Sequence, residues 1–195
     1  MKGRTAALAA LAVLLAAAAY APILRNGYFT DDFVQLYRSR TAPLAEFLLT
    51  PYGGHILFAQ NAILVGIQTV AGAPAPPRLL FAAMLVLHLT VVLSLFHLVR
   101  RWTMSAPLAC AVAAWWGTLP VLNGTLGWYS VLGQVVVTLC VLAILASAST
   151  DRPWNRMRRA LWVAAALLSA LSFGGGDGNR APDRPLVSGA GPAPR

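Results

Sequence analysis

Long apolar runs dominate this chain, and short polar segments separate them. A transmembrane helix needs about 20 consecutive apolar residues, with a range of about 17–25. Four runs are of this order, and the last run is shorter, with 14 residues. The runs are residues 6–24, 79–99, 106–122, 128–148 and 160–173. The pattern predicts an all-α, polytopic helical membrane protein with about five transmembrane helices within residues 1–173.

A further segment, residues 56–73, is uncharged but carries Gln60, Asn61 and Gln68, so hydropathy leaves open whether it crosses the membrane. Charge resolves the ambiguity, because cytoplasmic loops carry an excess of Lys and Arg. If the segment does not cross, eight basic residues before residue 174 lie inside and four lie outside; if it crosses, nine face outside. The eight are Lys2, Arg4, Arg100, Arg101, Arg152, Arg156, Arg158 and Arg159, and the four are Arg25, Arg38, Arg40 and Arg78.

The charge count favours the arrangement in which this segment does not cross. It predicts an integral membrane protein with a cytoplasmic N-terminus and an external loop of residues 25–78. Prolines punctuate that loop at Pro43, at Pro51 and within residues 74–77. Between them, residues 44–49 and 56–73 predict short helices that lie in the membrane interface.

The first run also has features of a secretory signal peptide. Lys2 and Arg4 precede it, and small residues occupy positions 17–19, as before a cleavage site. The apolar stretch continues past that site to Leu24, which favours an uncleaved span. Under either interpretation, the polypeptide that follows lies outside.

Composition excludes an ordinary soluble domain. Only 11% of the 195 residues are charged, against about a quarter in soluble proteins. The net charge of +9 raises the question of a nucleic-acid partner, but the basic residues flank apolar runs and form no single patch, so we expect none. Cys110 and Cys140 lie inside apolar runs without the spacing of a metal site.

The last 22 residues, 174–195, have a different character. They hold six Gly and four Pro without a periodic apolar pattern, which predicts a disordered Gly/Pro-rich tail. The change falls at Ser172-Phe173-Gly174, in the middle of what reads as a span. We therefore expect a chain that stops early.

Asp31 and Asp32 are the first candidates for chemistry. They are two of only six acids in the chain and follow the first span closely. Such a pair can coordinate a divalent cation such as Mg²⁺ or Mn²⁺ through its carboxylate oxygens, or one acid can act as a base while the other positions it. The alternative is structural: Thr30, Asp31 or Asp32 caps a short helix over residues 33–38.

Two histidines are candidates for substrate binding. His55 follows Pro51-Tyr52-Gly53-Gly54 near the outer surface, where an imidazole can bind a phosphate or move a proton; a solvated turn histidine is the alternative. His88 lies in the middle of a predicted span. An ionisable group at that depth indicates function, and a neutral histidine bonded to a neighbouring helix is the alternative.

The order of these features resembles the N-terminal part of multi-spanning glycosyltransferases of the GT-C fold, and especially the bacterial relatives of protein O-mannosyltransferases. The resemblance covers about residues 1–173. The segments that carry it are YFTDD at 28–32, PYGGH at 51–55, His88, the pair Arg100-Arg101, LPVLN at 119–123 and GWYS at 127–130. This sequence departs from the family at one point. Family members have an Arg-Pro pair after the loop histidine, whereas here Ile56-Leu57 follows His55.

The resemblance implies a function for the external loop. Asp31 or Asp32 would act at the catalytic centre, as a base toward the acceptor or as a metal ligand, and His55 and His88 would take donor-side or structural roles. The donor would be a lipid-linked sugar phosphate in a bacterial plasma (inner) membrane. We therefore expect a partial or truncated membrane glycosyltransferase that uses a polyprenyl-phosphate carrier on the external face. The alternative is a non-catalytic polytopic membrane protein, such as a small transporter subunit or an assembly factor.

Overall fold

A computed structural model describes residues 2–150 and 154–175 of the chain. The described part is an all-α fold, as predicted, with one short pair of strands. The α-helices are α1 (Lys2–Tyr20), α2 (Asp31–Thr41), α3 (Leu44–Leu49), α4 (Phe58–Ala71), α5 (Pro77–Thr103), α6 (Ala106–Gly117), α7 (Leu122–Leu126), α8 (Leu132–Ala148) and α9 (Arg156–Phe173). Two 3-10 helices, Ala21–Arg25 and Tyr129–Val131, extend α1 and precede α8. The strands are β1 (His55–Ile56) and β2 (Gly174–Gly175).

Three helical stretches among the described residues are long and apolar enough to cross a membrane. They are Gly3–Arg25, Pro77–Thr103 and Tyr129–Ala148, which correspond to three of the five predicted spans. Together with the shorter apolar helices Phe58–Ala71 and Ala106–Gly117, they identify the chain as a membrane-embedded helical protein.

The predicted span over residues 106–122 is not one continuous helix. Helix α6 ends at Gly117 after 12 residues, which gives it a length of about 18 Å, short of the hydrocarbon thickness of about 30 Å. Pro120 explains the break, because a proline lacks the N–H of a helical turn and disfavours helical geometry in the residue before it. Helix α6 alone is therefore too short to cross a membrane, and a span over residues 106–122 would also need the irregular chain after Gly117.

The last predicted span lies within α9. This helix has 18 residues and carries Arg156, Arg158 and Arg159 near its start. Its two ends contact opposite ends of the bundle. Arg158 donates from Nε to Ser147 Oγ at 3.0 Å, close to the C-terminus of α8, while β2 after α9 pairs antiparallel with β1, which lies within residues 25–78. Helix α9 therefore runs the full length of the bundle, and its crossing of a membrane remains a prediction.

The bundle has two chemically different ends. The basic end holds Arg100 and Arg101 at the close of α5 and Arg156, Arg158 and Arg159 at the start of α9. The loop end holds α2, α3, α4 and the chain between α7 and α8, linked by bonds such as that from Asn26 Nδ2 to the Gly127 carbonyl at 3.2 Å.

The tail prediction, residues 174–195, falls outside the described residues from 176 onward. The predicted interfacial helix 44–49 corresponds to α3, and the predicted helix 56–73 corresponds to α4 with β1 before it. The predicted helix 33–38 is part of the longer α2.

Candidate functional site

Helix α2 positions the acidic pair at the loop end. Asp31 and Asp32 are its first two residues, where carboxylates favour the positive end of the helix dipole. Thr30 precedes them with φ of 40° and makes no side-chain capping bond. The predicted capping arrangement is thus only partly present. The acids occupy the first turn, but the Thr30 side chain at the cap position accepts no hydrogen bond from the helix N–H groups.

Asp32 is a buried structural carboxylate. Its side chain is 1% exposed, and Oδ2 accepts a hydrogen bond from the Phe29 N–H at 3.0 Å. Oδ1 accepts two more bonds from Ser130, one from the backbone N–H at 2.9 Å and one from Oγ at 2.6 Å. Asp32 therefore ties α2 to the chain that precedes α8, 98 residues later.

Burial sets the electrostatics around Asp32. Desolvation raises the pKa of the Asp32 carboxyl, and the nearby charge of Asp31 adds to this, while the bonds from Ser130 and Phe29 lower the pKa in part. The neighbouring Tyr28 has a pKa raised to about 12, first by desolvation and then by the charge of Asp32. The Tyr28 hydroxyl donates to the Ala75 carbonyl, so this phenol is held neutral in the packing of the loop.

Asp31 has a different environment, although it is the next residue. Its side chain is partly exposed, and Oδ1 accepts a hydrogen bond from the Tyr52 hydroxyl at 3.1 Å. The pKa of Tyr52 is raised, first by desolvation and then by its bond to Asp31 and the charge of that carboxylate, while Arg38 lowers it. Tyr52 is therefore a stable donor that fixes one oxygen of Asp31 and leaves the other outside this bond.

A tight turn brings His55 next to Tyr52. The Tyr52 N–H donates to the His55 carbonyl at 2.8 Å, and the His55 N–H donates to the Tyr52 carbonyl at 3.0 Å. The two residues between them, Gly53 and Gly54, have φ of +57° and +81°. Such angles suit glycine and explain the Gly-Gly pair in a hairpin turn.

Arg38 completes the group on α2. It lies seven residues after Asp31, about two helical turns, so both residues share one face of the helix. Its Cζ lies 5.5 Å from the centre of the Tyr52 ring, and its Nη1 is buried without a hydrogen-bond partner among the described residues. We call Asp31, Arg38, Tyr52 and His55 the outer cluster. It combines a carboxylate, a cation, a phenol and an imidazole at the loop end.

The acidic pair does not fit a shared divalent cation. Three protein N–H or O–H groups already occupy the oxygens of Asp32, whereas Asp31 is bonded to Tyr52. Among the described residues, no group of three or more His, Cys, Asp or Glu side chains is arranged to hold a metal ion.

His88 lies apart from the outer cluster, inside the bundle. Its Nε2 donates to the Gly117 carbonyl at 3.0 Å, its ring stacks on Trp116 with centroids 5.6 Å apart, and Tyr20 packs edge-on at 5.0 Å. Gly117 is the last residue of α6, where a carbonyl has no partner within the helix. The structure thus agrees with the alternative of a histidine bonded to a neighbouring helix, and it does not bring His88 together with Asp31, Asp32 or His55.

A large apolar cavity of 710 Å³ lies between α4, α8 and α9. Its wall includes Phe58, three residues after His55, and extends to Ser147 and Leu161 toward the basic end. The cavity therefore runs along the bundle from the vicinity of the loop end.

Three residues of this region escape sequence reasoning: Arg38, Tyr52 and Ser130. The sequence indicates Arg38 only as one of four basic residues predicted to lie outside. Tyr52 and Ser130 occur within the PYGGH and GWYS segments, which assign no separate role to either residue. The helical spacing of Asp31 and Arg38 is a signal that points to Arg38. The contacts of Tyr52 and Ser130 depend on tertiary packing across 21 and 98 residues.

Comparison with known proteins gives no assignment: no protein-family model, no curated protein and no solved structure matches this chain.

Proposed function

We propose that this chain is, or belongs to, a membrane glycosyltransferase that transfers a sugar from a polyprenyl-phosphate carrier at the loop end. The observation that carries the proposal is the outer cluster, where the Tyr52 hydroxyl bonds Asp31, the Arg38 guanidinium lies over the Tyr52 ring, and the Tyr52 backbone bonds that of His55. Positive charge at the basic end further supports a cytoplasmic N-terminus, and with it a loop end on the external face of a bacterial plasma membrane.

Asp31 takes the role of general base in this proposal. The oxygen of an acceptor hydroxyl attacks the anomeric carbon of the sugar, and the Asp31 carboxylate takes the hydroxyl proton. The bond between the anomeric carbon and the carrier phosphate breaks, and its electron pair leaves with the polyprenyl phosphate. Partial exposure of Asp31 and its single bond to Tyr52 support this assignment, whereas the buried and fully engaged Asp32 is a positioning residue for α2.

Arg38 and His55 suit the leaving phosphate. Arginine binds phosphate through a planar set of N–H donors, and the Nη1 of Arg38 is free of protein partners among the described residues. Arg38 thereby supplies a cation in place of the one that Ile56-Leu57 lacks relative to the resembled family. The apolar cavity that begins near Phe58 offers room for the hydrocarbon tail of the carrier.

Substitution of Asp31, with Glu46 as a control, tests the proposal. Membranes that contain the full chain are incubated with polyprenyl-phosphate-linked hexoses and an acceptor mixture, and transferred sugar is measured. Asp31→Asn is expected to lower the transfer rate by about 10²–10⁴-fold, the usual contribution of a general base, with the fold retained. Glu46→Gln is the matched control, because Glu46 is an exposed acid of the same loop and its loss is expected to leave transfer unchanged.

Arg38→Gln separates binding from proton transfer. It is expected to raise the KM for the donor more than it lowers kcat, because the lost cation contacts the phosphate. Transfer that survives Asp31→Asn at the wild-type rate contradicts the assignment of the base. If the chain transfers no sugar from any carrier, the alternative of a non-catalytic polytopic membrane protein is favoured instead, with the acidic pair serving only to fix α2.

A further inference from the structure

A groove between α5 and α8 opens at the basic end. Its volume is 440 Å³, and its walls are formed mainly by Leu98, Leu139, Leu142 and Ala143. Arg101 and His97 also line it, and both are exposed. The groove therefore combines an apolar body with a basic rim.

The rim carries guanidinium donors that have no acceptor within the part of the chain that the structure describes. Arg101 donates from Nη1 to the Ala146 carbonyl at 3.3 Å, and its other guanidinium N–H groups have no acceptor among the described residues. Arg100 stands beside it and is exposed. No acidic side chain of residues 2–150 or 154–175 forms an ion pair with either arginine, so within these residues the rim carries positive charge next to an apolar groove.

Trp102 marks the depth of this rim in the membrane. Its Nε1 donates to Ser149 Oγ at 2.7 Å, and its ring is 56% exposed. Tryptophans with a bonded N–H and an exposed ring are enriched at the level of the lipid headgroups. This environment of Trp102 predicts headgroup depth for Arg101 and acyl-chain depth for the leucines of the groove.

We propose that the groove between α5 and α8 binds one anionic phospholipid from the leaflet on the basic side. The phosphate accepts hydrogen bonds from Arg101, and one acyl chain lies along Leu98, Leu139 and Leu142. Charge complementarity selects this occupant, because basic pockets between transmembrane helices bind anionic headgroups, whereas a zwitterionic lipid brings its own positive charge to the same rim. The proposal does not depend on glycosyl transfer.

Lipid binding to the purified full chain tests this site. The protein is delipidated in detergent and incubated with phosphatidylglycerol or phosphatidylcholine, and bound lipid is counted by native mass spectrometry. We expect one phosphatidylglycerol per chain in preference to phosphatidylcholine. Arg101→Gln is expected to weaken binding by about fivefold, the usual effect of one basic residue near a membrane surface.

Two further variants distinguish this groove from general surface charge. Ser94→Phe fills the groove from α5, where Ser94 lines it, and is expected to reduce phosphatidylglycerol binding while all arginines remain. Arg159→Gln removes an exposed charge at the same end but on α9, and is expected to leave binding unchanged. Gel filtration and circular dichroism verify that each variant is folded.

Three results would overturn the proposal. Equal retention of the two lipids shows that charge does not select the occupant. An equal loss in Arg159→Gln and Arg101→Gln assigns the effect to overall charge instead of the groove. Displacement of the lipid by millimolar inorganic phosphate shows that the rim binds a free anion. A lipid whose acyl chain lies in the groove should resist this competition, because phosphate cannot replace the acyl-chain contacts.

Discussion

Adjacent acids in this protein have separate environments because of helix geometry. Successive residues of an α-helix point about 100° apart, so Asp32 turns into the packed loop and Asp31 turns outward. Asp32 meets Phe29 and Ser130, whereas Asp31 meets Tyr52. The sequence predicts both acids as candidates and offers the capping alternative. It cannot show which of the two acids is buried, because Ser130, the partner of Asp32, is 98 residues away.

The pH dependence of stability tests the burial of Asp32. Its pKa is raised on folding, with desolvation as the largest cause, so the folded state binds the proton more tightly than the unfolded state. Linkage then requires stability to fall as pH rises from the ordinary value of 3.8 through the raised pKa, and to stay lower above it. Thermal unfolding in detergent across this window measures the effect.

Asp32→Asn isolates this contribution from that of the other acids. The amide does not titrate, so the fall in stability across the same window is expected to be smaller in the variant than in the wild type. The variant also places an N–H donor opposite the Phe29 or Ser130 donors, which is expected to cost about 1–3 kcal/mol at neutral pH. Identical pH profiles for the two proteins would show that folding does not raise the pKa of Asp32.

At the scale of elements, the junction after α6 is the main departure from the predicted pattern. Apolar periodicity continues through residues 106–122, but the helix ends at Gly117. Irregular backbone at membrane depth is tolerated only where protein groups satisfy it. His88 bonds the Gly117 carbonyl, and the Tyr20 hydroxyl bonds the Leu119 carbonyl at 2.5 Å. Hydropathy does not report this break: Pro120 ends the helix, and side chains from two other helices bond the carbonyls that the break leaves free.

Close packing at Gly117 gives a test of the junction. A Cβ at this position would lie 2.7 Å from Val92 Cγ2 and 3.2 Å from Ala16 Cβ, so α1, α5 and α6 meet here with no room for a methyl group. Gly117→Ala is expected to destabilise the fold by about 1–3 kcal/mol through overpacking. Chemical unfolding of the purified protein in detergent measures the change.

Gly66 provides the matched control within α4. A Cβ at Gly66 has no heavy atom within 4 Å, and an alanine in a helix interior is favoured over glycine by about 0.5–1 kcal/mol. Gly66→Ala is therefore expected to stabilise the protein slightly. Val92→Ala should partly rescue Gly117→Ala by restoring space, and a double variant no more stable than Gly117→Ala would argue against this packing.

At the scale of the whole molecule, the fold class was predictable and the site was predictable in part. Apolar runs and charge asymmetry depend on the order of residues along the chain, which a sequence displays directly. Three of the predicted spans correspond to long apolar helices. The outer cluster depends on how α2 and the turn at residues 52–55 pack together. Sequence reasoning therefore reaches Asp31 and His55, but it misses Tyr52, which bonds both of them, and Arg38, which lies over the Tyr52 ring.

The orientation of α4 is the last open element of the topology. In the structure both of its ends lie with the loop end: the Tyr129 hydroxyl donates to the Gln60 carbonyl near its start at 2.8 Å, and Gln68 Nε2 donates to Ser39 Oγ of α2 near its close at 3.0 Å. With 14 residues, α4 is about 21 Å long and too short to span about 30 Å of hydrocarbon. Arg40 and Val70 are therefore expected on one side of the membrane and Arg101 on the other.

Cysteine labelling in intact cells tests this arrangement. Arg40→Cys and Val70→Cys are expected to react with a membrane-impermeant maleimide added outside, because Arg40 is exposed and Val70 is 89% exposed. Arg101→Cys is expected to react only after the membrane is opened. The parent chain provides the background, since its native Cys110 and Cys140 are both buried. Val70→Cys is the decisive position: if it reacts only after the membrane is opened while Arg40→Cys and Arg101→Cys both react from outside, α4 crosses the membrane and every later segment changes sides.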